Sequence, residues 1–450
     1  MAIRLVTWHK LRLRVRGVGM VTIGLLPCPG QVGHFNCNFA LARSLEHAGA
    51  AVTFYGFPSD RPLVVAQGFE MRLLSERDLP EFPDFEGRLE PIRMLANLER
   101  FYVALATHLE TLNVNAILDQ GVSRFVCDGR FGLAGHLLRV TGRPHVVLNT
   151  TLPSLMGRSP ANPHWPPMQT TWFPPLTWLG RLRVGLAWWY ERAMRWKAPG
   201  AYLAVRRNNI LVARLFRDLE RRFGVMTRTP TPGVVRQFTA CPRAFEFTSE
   251  HPAEVTYAEP LVDLERRVDA PATELPPGSG PLVLMVFGTN NQLANPGGQA
   301  MLDRLIRTAR VMPHVRFLLS IPQSIRLRTA LPPNLRRAAF VAQPRLLKQA
   351  AVLVTHGGLN TVKEAILSEV PMLVIPGKWD APGNGARVEF HGIGLLGSRR
   401  ARVQTLREQL TRLLEAPKFR TNILQMRRAF EQRSQDAPLV NALLASPDAE

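Results

Sequence analysis

The stretch A-V-L-V-T-H-G-G-L-N-T-V-K-E-A-I-L, residues 351–367, constrains this chain most: an apolar run ends in a histidine and two glycines and passes directly into helical spacing. Ala351 to Thr355 suits a buried parallel strand, and Gly357-Gly358 permits a sharp turn where a side chain would block close approach. Beyond the turn, Val362, Ala365 and Ile366 recur at helical spacing, with Asn360 or Thr361 placed to cap. Such a helix turns its unpaired amides and the positive end of its dipole toward the glycine pair, which makes a seat for an anion such as a diphosphate. His356 adds a ring donor to that seat. Glu364 follows Asn360 by one turn, about 5.4 Å along the axis, so it can reach a ribose diol while Asn360 and Thr361 reach phosphate. A buried strand histidine and a capping asparagine would each explain one residue; the combined spacing favours the anion seat.

The segment from Phe340 to Leu396 resembles the donor-binding signature of the UDP-glycosyltransferases of the GT-B fold, among them the bacterial macrolide and zeaxanthin-type enzymes. It opens F-V-A-Q-P-R-L-L and closes W-D-A-P-G-N-G-A-R-V-E-F-H-G-I-G-L-L. The resemblance implies that Phe340 stacks on the uracil, Gln343 lies beside base and ribose, Glu364 takes the ribose hydroxyls, and Asp380 takes sugar hydroxyls. The chain departs from the pattern at Asp380-Ala381, where the family has Asp-Gln or Glu-Gln, so one amide that selects the hydroxyl pattern is absent and the sugar stays open. Upstream, P-L-V-L-M-V-F-G-T, Pro281 to Thr289, is a buried strand opening onto a Gly-Thr turn. It resembles the family loop that touches the phosphate next to the sugar, here Gly288 and Thr289.

Sugar transfer to an alcohol needs a base at the other half of the site. Val21 to Leu26 reads as a short strand, P-C-P-G-Q-V-G-H as a turn, and Phe35 to His47 as a helix with Gly49 just past its end, leaving His34 at the helix entrance. An imidazole, with an ordinary pKa near 6.5, can accept a proton near neutrality. The resemblance agrees, with G-H-F-N-C-N standing for the family's Gly-His segment and Cys37 replacing its usual proline. A carboxylate that orients the imidazole would complete the pair. Asp119, in A-I-L-D-Q, and Asp128, ending R-F-V-C-D, compete for that role. The sixteen residues from Asp128 to Pro144 fit one helix and a tight return to the next strand, whereas Asp119 would need a nine-residue insertion, so spacing selects Asp128. For either aspartate, capping of the following helix is the structural alternative.

Alternating short apolar runs and helical stretches over 450 residues, 46% of them hydrophobic, predict an α/β protein with two full cores. With the resemblance, the expected fold class is GT-B: two Rossmann-like, doubly wound parallel-sheet domains facing across a cleft. The expected organisation is a basic extension over residues 1–19, with Met20 as an alternative start, an acceptor domain over 20–261 and a Pro/Gly-rich linker over 262–280. A nucleotide-sugar domain over 281–435 and a tail over 436–450 complete it. Strands are expected near 282–287, 314–321, 338–342, 351–355 and 371–376, with ligand at their carboxyl ends. A closing helix, Lys418 to Gln435, is expected to cross back onto the first domain.

Cys28, Cys37, Cys127 and Cys241 show no C-x-x-C pairing, which points away from zinc and disulfides and toward a reducing cytoplasm. No D-x-D triplet occurs, so a metal bridging the diphosphate is not expected, and no cofactor is expected beyond the UDP-sugar as co-substrate. No apolar run reaches the length that spans a bilayer. The net charge of +21 could indicate nucleic acid or simple solvation, but its distribution favours another partner. From Trp165 to Arg222, Trp172, Trp178, Trp188, Trp189, Trp196 and Tyr202 interleave with Arg181, Arg183, Arg192, Arg195, Lys197, Arg206 and Arg207, a pattern suited to an anionic membrane interface. In the resembling family this region shapes the acceptor pocket. The expected acceptor is therefore a hydrophobic hydroxylated molecule, such as a carotenoid, polyketide or lipid, met at the inner face of the membrane, with no nucleic acid involved. The expected mechanism is a single inverting displacement, His34 taking the proton, Asp128 steadying it, and His356, Thr289 and the helix after Gly358 receiving charge on the leaving diphosphate. Two rivals remain: a nicotinamide-dependent oxidoreductase, from G-I-G-L-L-G at Gly392 to Gly397, and a non-catalytic nucleotide-sugar or membrane-surface binding protein, from the missing amide at Ala381.

Overall fold

The computed structural model describes residues 21–80, 121–152, 166–173, 177–197, 235–247, 256–268, 273–288 and 293–445, together with isolated positions between 100 and 116 and at 217 and 221. The expected extension 1–19, Asp119, Thr289, Trp165, Tyr202, Arg206 and Arg207 lie outside the described residues.

Two parallel sheets organise the chain. The first contains β1 (Thr22–Leu26), β2 (Ala51–Gly56), β3 (Met71–Leu73), β4 (Arg124–Asp128), β5 (His145–Asn149), β6 (Gln237–Thr239) and β7 (Thr256–Tyr257), in the order β3-β2-β1-β4-β5-β6-β7. Leu25 stands opposite Phe54 on one side and Val126 on the other. The second contains β8 (Leu282–Val286), β9 (Arg316–Ser320), β10 (Leu335–Ala338), β11 (Ala350–Thr355), β12 (Met372–Val374) and β13 (Gly394–Leu396), in the order β10-β9-β8-β11-β12-β13. The central strands are apolar almost throughout, T-I-G-L-L in β1 and L-V-L-M-V in β8, as strands covered on both faces must be. In each sheet the chain winds one way and then the other. The reversal falls between β1 and β4 in the first sheet and between β8 and β11 in the second, and these crevices are where open α/β sheets bind ligands.

Helices supply the covering layers. In the first domain α1 (Val32–His47), α2 (Arg61–Ala66), α3 (Gly132–Val140) and α4 (Trp178–Lys197) follow strands or loops. On the inner side of α1, Phe39 meets Phe54 and stacks flat on Phe69, with centroids 5.3 and 5.9 Å apart. Each such buried ring stabilises the fold by about 1.5–3 kcal/mol. The second domain contains α5 (Pro296–Arg310), α6 (Gln343–Leu347), α7 (Leu359–Leu367), α8 (Ala381–Phe390), α9 (Val403–Glu415) and α10 (Pro417–Asp436), and α11 (Pro438–Leu444) ends the described chain.

Several elements differ from expectation. The strand expected at 338–342 lies earlier, at Leu335–Ala338, because L-R-R-A is an edge strand bonded to β9 alone, and Phe340 to Ala342 form the loop that enters α6. The G-x-G-x-x-G run from Gly392 to Gly397 is not a loop after a strand but contains β13 itself, which removes its nucleotide-loop reading. The expected tail, 436–450, carries α11, whose Leu439, Val440 and Leu443 are buried in the core of the first domain. Glu259 holds that helix from the first domain by accepting from the amides of Leu439 and Val440. Before it, α10 buries Ile423, Met426 and Phe430 in a cluster shared by Val362 of the second domain and Phe245 of the first.

Candidate active site

The expected acid–base end is built where three strands of the first sheet end. After β1, the turn at Pro27–Gln31 is fastened by the Gly30 amide donating to Asp60 Oδ1 at 2.9 Å, and α1 then places His34 in its first turn. Asp128 is the last residue of the adjacent β4, and its carboxylate is buried. His34 Nδ1 lies 2.7 Å from Asp128 Oδ2, while Asp128 Oδ1 accepts the Arg130 amide at 2.9 Å. With Nδ1 donating to the carboxylate, Nε2 is the nitrogen free to accept a proton. Thr150, one residue past β5, brings its hydroxyl to 3.0 Å from Nδ1 and 3.4 Å from Nε2. Nearby, burial, followed by the charge of Asp128, pushes the Cys28 thiol up to about 12, which keeps it protonated.

The expected anion end is built from β8 and β11, which run level, Val286 opposite Thr355. Gly357 has φ +89°, and a Cβ there would stand 2.8 Å from Val374 Cγ1 and 3.0 Å from the Ala381 carbonyl oxygen, so the turn admits only glycine. Gly288, with φ +71°, lets the neighbouring loop approach the His356 ring, whose Cε1 would lie 3.1 Å from a Cβ. Gly358, rather than Asn360 or Thr361, is the N-cap of α7, and its side-chain-free position leaves the first turn without a side-chain cap. The first-turn amides therefore face the glycine turn as the sequence implied. Burial pushes the His356 imidazole below its ordinary value of 6.5, against the opposing pull of Asp380.

The remaining donor-side residues converge from separate elements. Gln343, opening α6, donates through Nε2 to Glu364 Oε2 at 2.7 Å and lies 3.5 Å from Thr361 Oγ1. Glu364 Oε1 pairs with Arg266 Nη1 at 2.8 Å, a contact from the interdomain segment that the sequence did not signal. Phe340 stands 52% exposed on its loop, unusual for a phenylalanine and suited to stacking on a base. Asp380, at the N-cap of α8, accepts from Asn384 Nδ2 at 3.0 Å, and that same amide reaches the Gly357 carbonyl at 2.9 Å. Ala381 is buried beneath it.

The two ends face one another. Asn360 donates to the Gly33 carbonyl, beside His34, and accepts the Cys37 thiol at 3.0 Å, so its side chain bridges the domains instead of pointing into the anion seat. One turn on, Lys363 is fully buried and donates to the Ala240 and Pro260 carbonyls at 2.8 and 2.6 Å, with Cys37 Sγ 3.6 Å away. Farther along, Arg387 of α8 forms a buried pair with Glu246 of the first domain, Nε to Oε2 2.6 Å. Among the described residues, no group of three or more His, Cys, Asp or Glu is arranged to hold a metal ion, and no helix is long and apolar enough to cross a membrane.

Two parallel α/β domains whose switch points meet in this way have the fold of the GT-B glycosyltransferases. The glycosyltransferase of kitacinnamycin superposes with a TM-score of 0.65 over 95% of this chain and 99% of its own, at 20% identity. The glycosyltransferase VinC, solved in complex with dTDP, gives 0.60 over 94% and 99%, at 18% identity. At those identities the likeness is one of fold. Residues 315–445 match the family described as Erythromycin biosynthesis protein CIII-like, C-terminal domain. A zeaxanthin glucosyltransferase from Pseudescherichia vulneris is 43% identical over 76 residues, which is 17% of this chain and 18% of that protein's length. The sequence likeness thus spans less than a fifth of that relative.

Proposed function

We propose that this chain transfers a sugar from a nucleoside diphosphate sugar, with uracil or thymine as the base, to a hydroxyl of a hydrophobic acceptor of carotenoid, polyketide or lipid type, with inversion and without a metal. The observation that carries this reading is the His34–Asp128 pair at 2.7 Å, set beside the Gly33 carbonyl that Asn360 of the anion-binding helix grips. His34 Nε2 takes the acceptor proton, the alcohol oxygen forms the new bond to the anomeric carbon, and the bond to the diphosphate oxygen breaks. Asp128 holds the imidazole in the required tautomer and balances the imidazolium. The leaving diphosphate collects its charge at the α7 amides, Gly288 and Thr289, and the His356 ring. Phe340, Gln343 and Glu364 hold base and ribose, and Asp380 holds the sugar. Support for the donor class comes from the likeness of residues 315–445 to its family and from VinC having been solved with dTDP. Support for an apolar acceptor comes from the zeaxanthin enzyme.

The buried Ala381 favours one other reading, a non-catalytic nucleotide-sugar binder, but a binder has no use for an oriented histidine. Turnover separates the two. Release of nucleoside diphosphate from a panel of UDP- and dTDP-sugars, with mixed apolar alcohols as acceptors, is expected for the native chain and is expected to fall by about 10²-fold in His34→Ala at unchanged thermal unfolding. Near-native turnover in His34→Ala would place the base elsewhere.

A further inference from the structure

Among the described residues, nothing covers one apolar face of helix α4. Trp178 and Trp189 are 72% and 64% exposed, and Leu179, Leu182 and Leu186 between them are more than half exposed. At 3.6 residues per turn these five fall within an arc of roughly 100°. On the other side of the helix Val184 is buried, so α4 is docked on the protein by one face and bare on the next. Single exposed leucines are ordinary, but five large apolar side chains on one helix face form a patch of the kind that marks an interaction surface. The helix carries Arg181, Arg183, Arg192, Arg195 and Lys197 against one acid, Glu191. Arg183 is fixed at the border of the apolar arc, its guanidinium 4.1 Å from the Trp172 ring centroid.

We infer that this face docks on an anionic lipid bilayer, with Trp178, Trp189 and the leucines in the acyl boundary and Arg181 and Arg183 against headgroup phosphates. Lipid is favoured over a protein partner by the chemistry of the helix, with Trp and Leu on one side, arginine beside them and low overall hydrophobicity, which is how interfacial helices are built. Charge complementarity agrees: 56 Lys and Arg against 35 Asp and Glu leave the chain at +21. The segment leading into α4 is pinned to the wall of the proposed sugar site. The Met168 carbonyl accepts from the Gly383 amide at 2.7 Å, and Phe173 packs edge-on against Phe390, both partners lying on α8. A bilayer held by α4 would therefore lie near the place where an apolar alcohol must enter.

Flotation of the full chain with phosphatidylcholine vesicles, and with vesicles containing about one third phosphatidylglycerol, at ~0.1 M salt tests this directly. Recovery with the anionic vesicles is expected to exceed recovery with neutral ones by about tenfold and to fall at ~0.5 M salt. The variant Leu182→Asp/Leu186→Asp changes two exposed positions and is expected to unfold at the native temperature while losing most of this recovery. Equal recovery on the two vesicle types overturns the inference. Undiminished binding by the folded double variant also overturns it, assigning attraction to diffuse charge. A double variant that turns a dimer into a monomer with vesicle binding intact makes the face a contact between copies and overturns it as well. No step of sugar transfer is read in this assay, so its failure and that of the proposed activity are independent.

Discussion

His34 enters on the helix after β1, Asp128 ends β4 and Thr150 lies one residue past β5, which is why two side chains distant in sequence reach the His34 ring. His34 and Asp128 were legible because a lone histidine at a helix entrance and an aspartate closing an apolar run are conspicuous. Thr150 was not, since a threonine after a strand is commonplace, although its place at the end of R-P-H-V-V-L-N was a signal available to strand reasoning. Arg266 had no signal at all: its approach to Glu364 depends on how the interdomain segment crosses the second sheet. Phe340 is the residue whose role can be tested with least risk to folding, because half of it already faces solvent. Stacking on a base contributes ~1–3 kcal/mol, so Phe340→Ala is expected to weaken UDP or dTDP binding by roughly tenfold in a calorimetric titration, with the unfolding temperature unchanged. Unaltered affinity would leave the base without its proposed platform.

At the scale of elements, the strand–Gly-Gly–helix unit was readable because its turn chemistry and periodicity agree, and β8, β9, β11 and β12 fall where apolar runs predict them. The exceptions have physical reasons. β10 is polar and lies at an edge, β13 is three residues long and glycine-flanked, and the cap of α7 is a glycine because Asn360 is committed to the opposite domain. The end of α8 illustrates a contact that no periodicity announces: His391, its C-cap, sets Nε2 3.0–3.1 Å from the carbonyls of Phe245 and Glu246 in the first domain. Burial, with Arg387 adding to it, holds His391 below its ordinary 6.5 against the pull of those carbonyls. A histidine depressed in the folded state contributes stability that is complete above 6.5 and is lost as pH falls from there toward its folded value, because the unfolded chain takes the proton first. In His391→Gln this source of acid sensitivity is gone, so denaturant titrations should show the gap between native and variant narrowing from pH 7.5 toward pH 5.5. A gap that widens on acidification would mean that the folded protein holds charged His391 more readily than the unfolded chain.

Over the whole molecule, two doubly wound sheets bring their switch points together, and the polar links between them include Asn360 to Gly33, Lys363 to Ala240 and Pro260, and Arg387 to Glu246. Two-domain organisation was legible from alternation and the Pro/Gly-rich stretch before β8, whereas the buried Lys363 was not, since a lysine on an amphipathic helix reads as solvated until a second domain covers it. Return of α11 to the first core ties the chain's end to its beginning, so both domains depend on one continuous packing arrangement. The architecture has one purpose in this account: to carry a nucleoside diphosphate at the glycine turn of β11 opposite an imidazole that is not needed to bind it. Calorimetric titration of the full chain with UDP and with dTDP, native and His34→Ala in parallel, measures that division most directly. Saturable binding of at least one nucleotide, equal in the two proteins and lost in Glu364→Ala, is the predicted result. No binding of either nucleotide by the native chain at millimolar concentration, or binding that disappears with His34 and survives without Glu364, would contradict it.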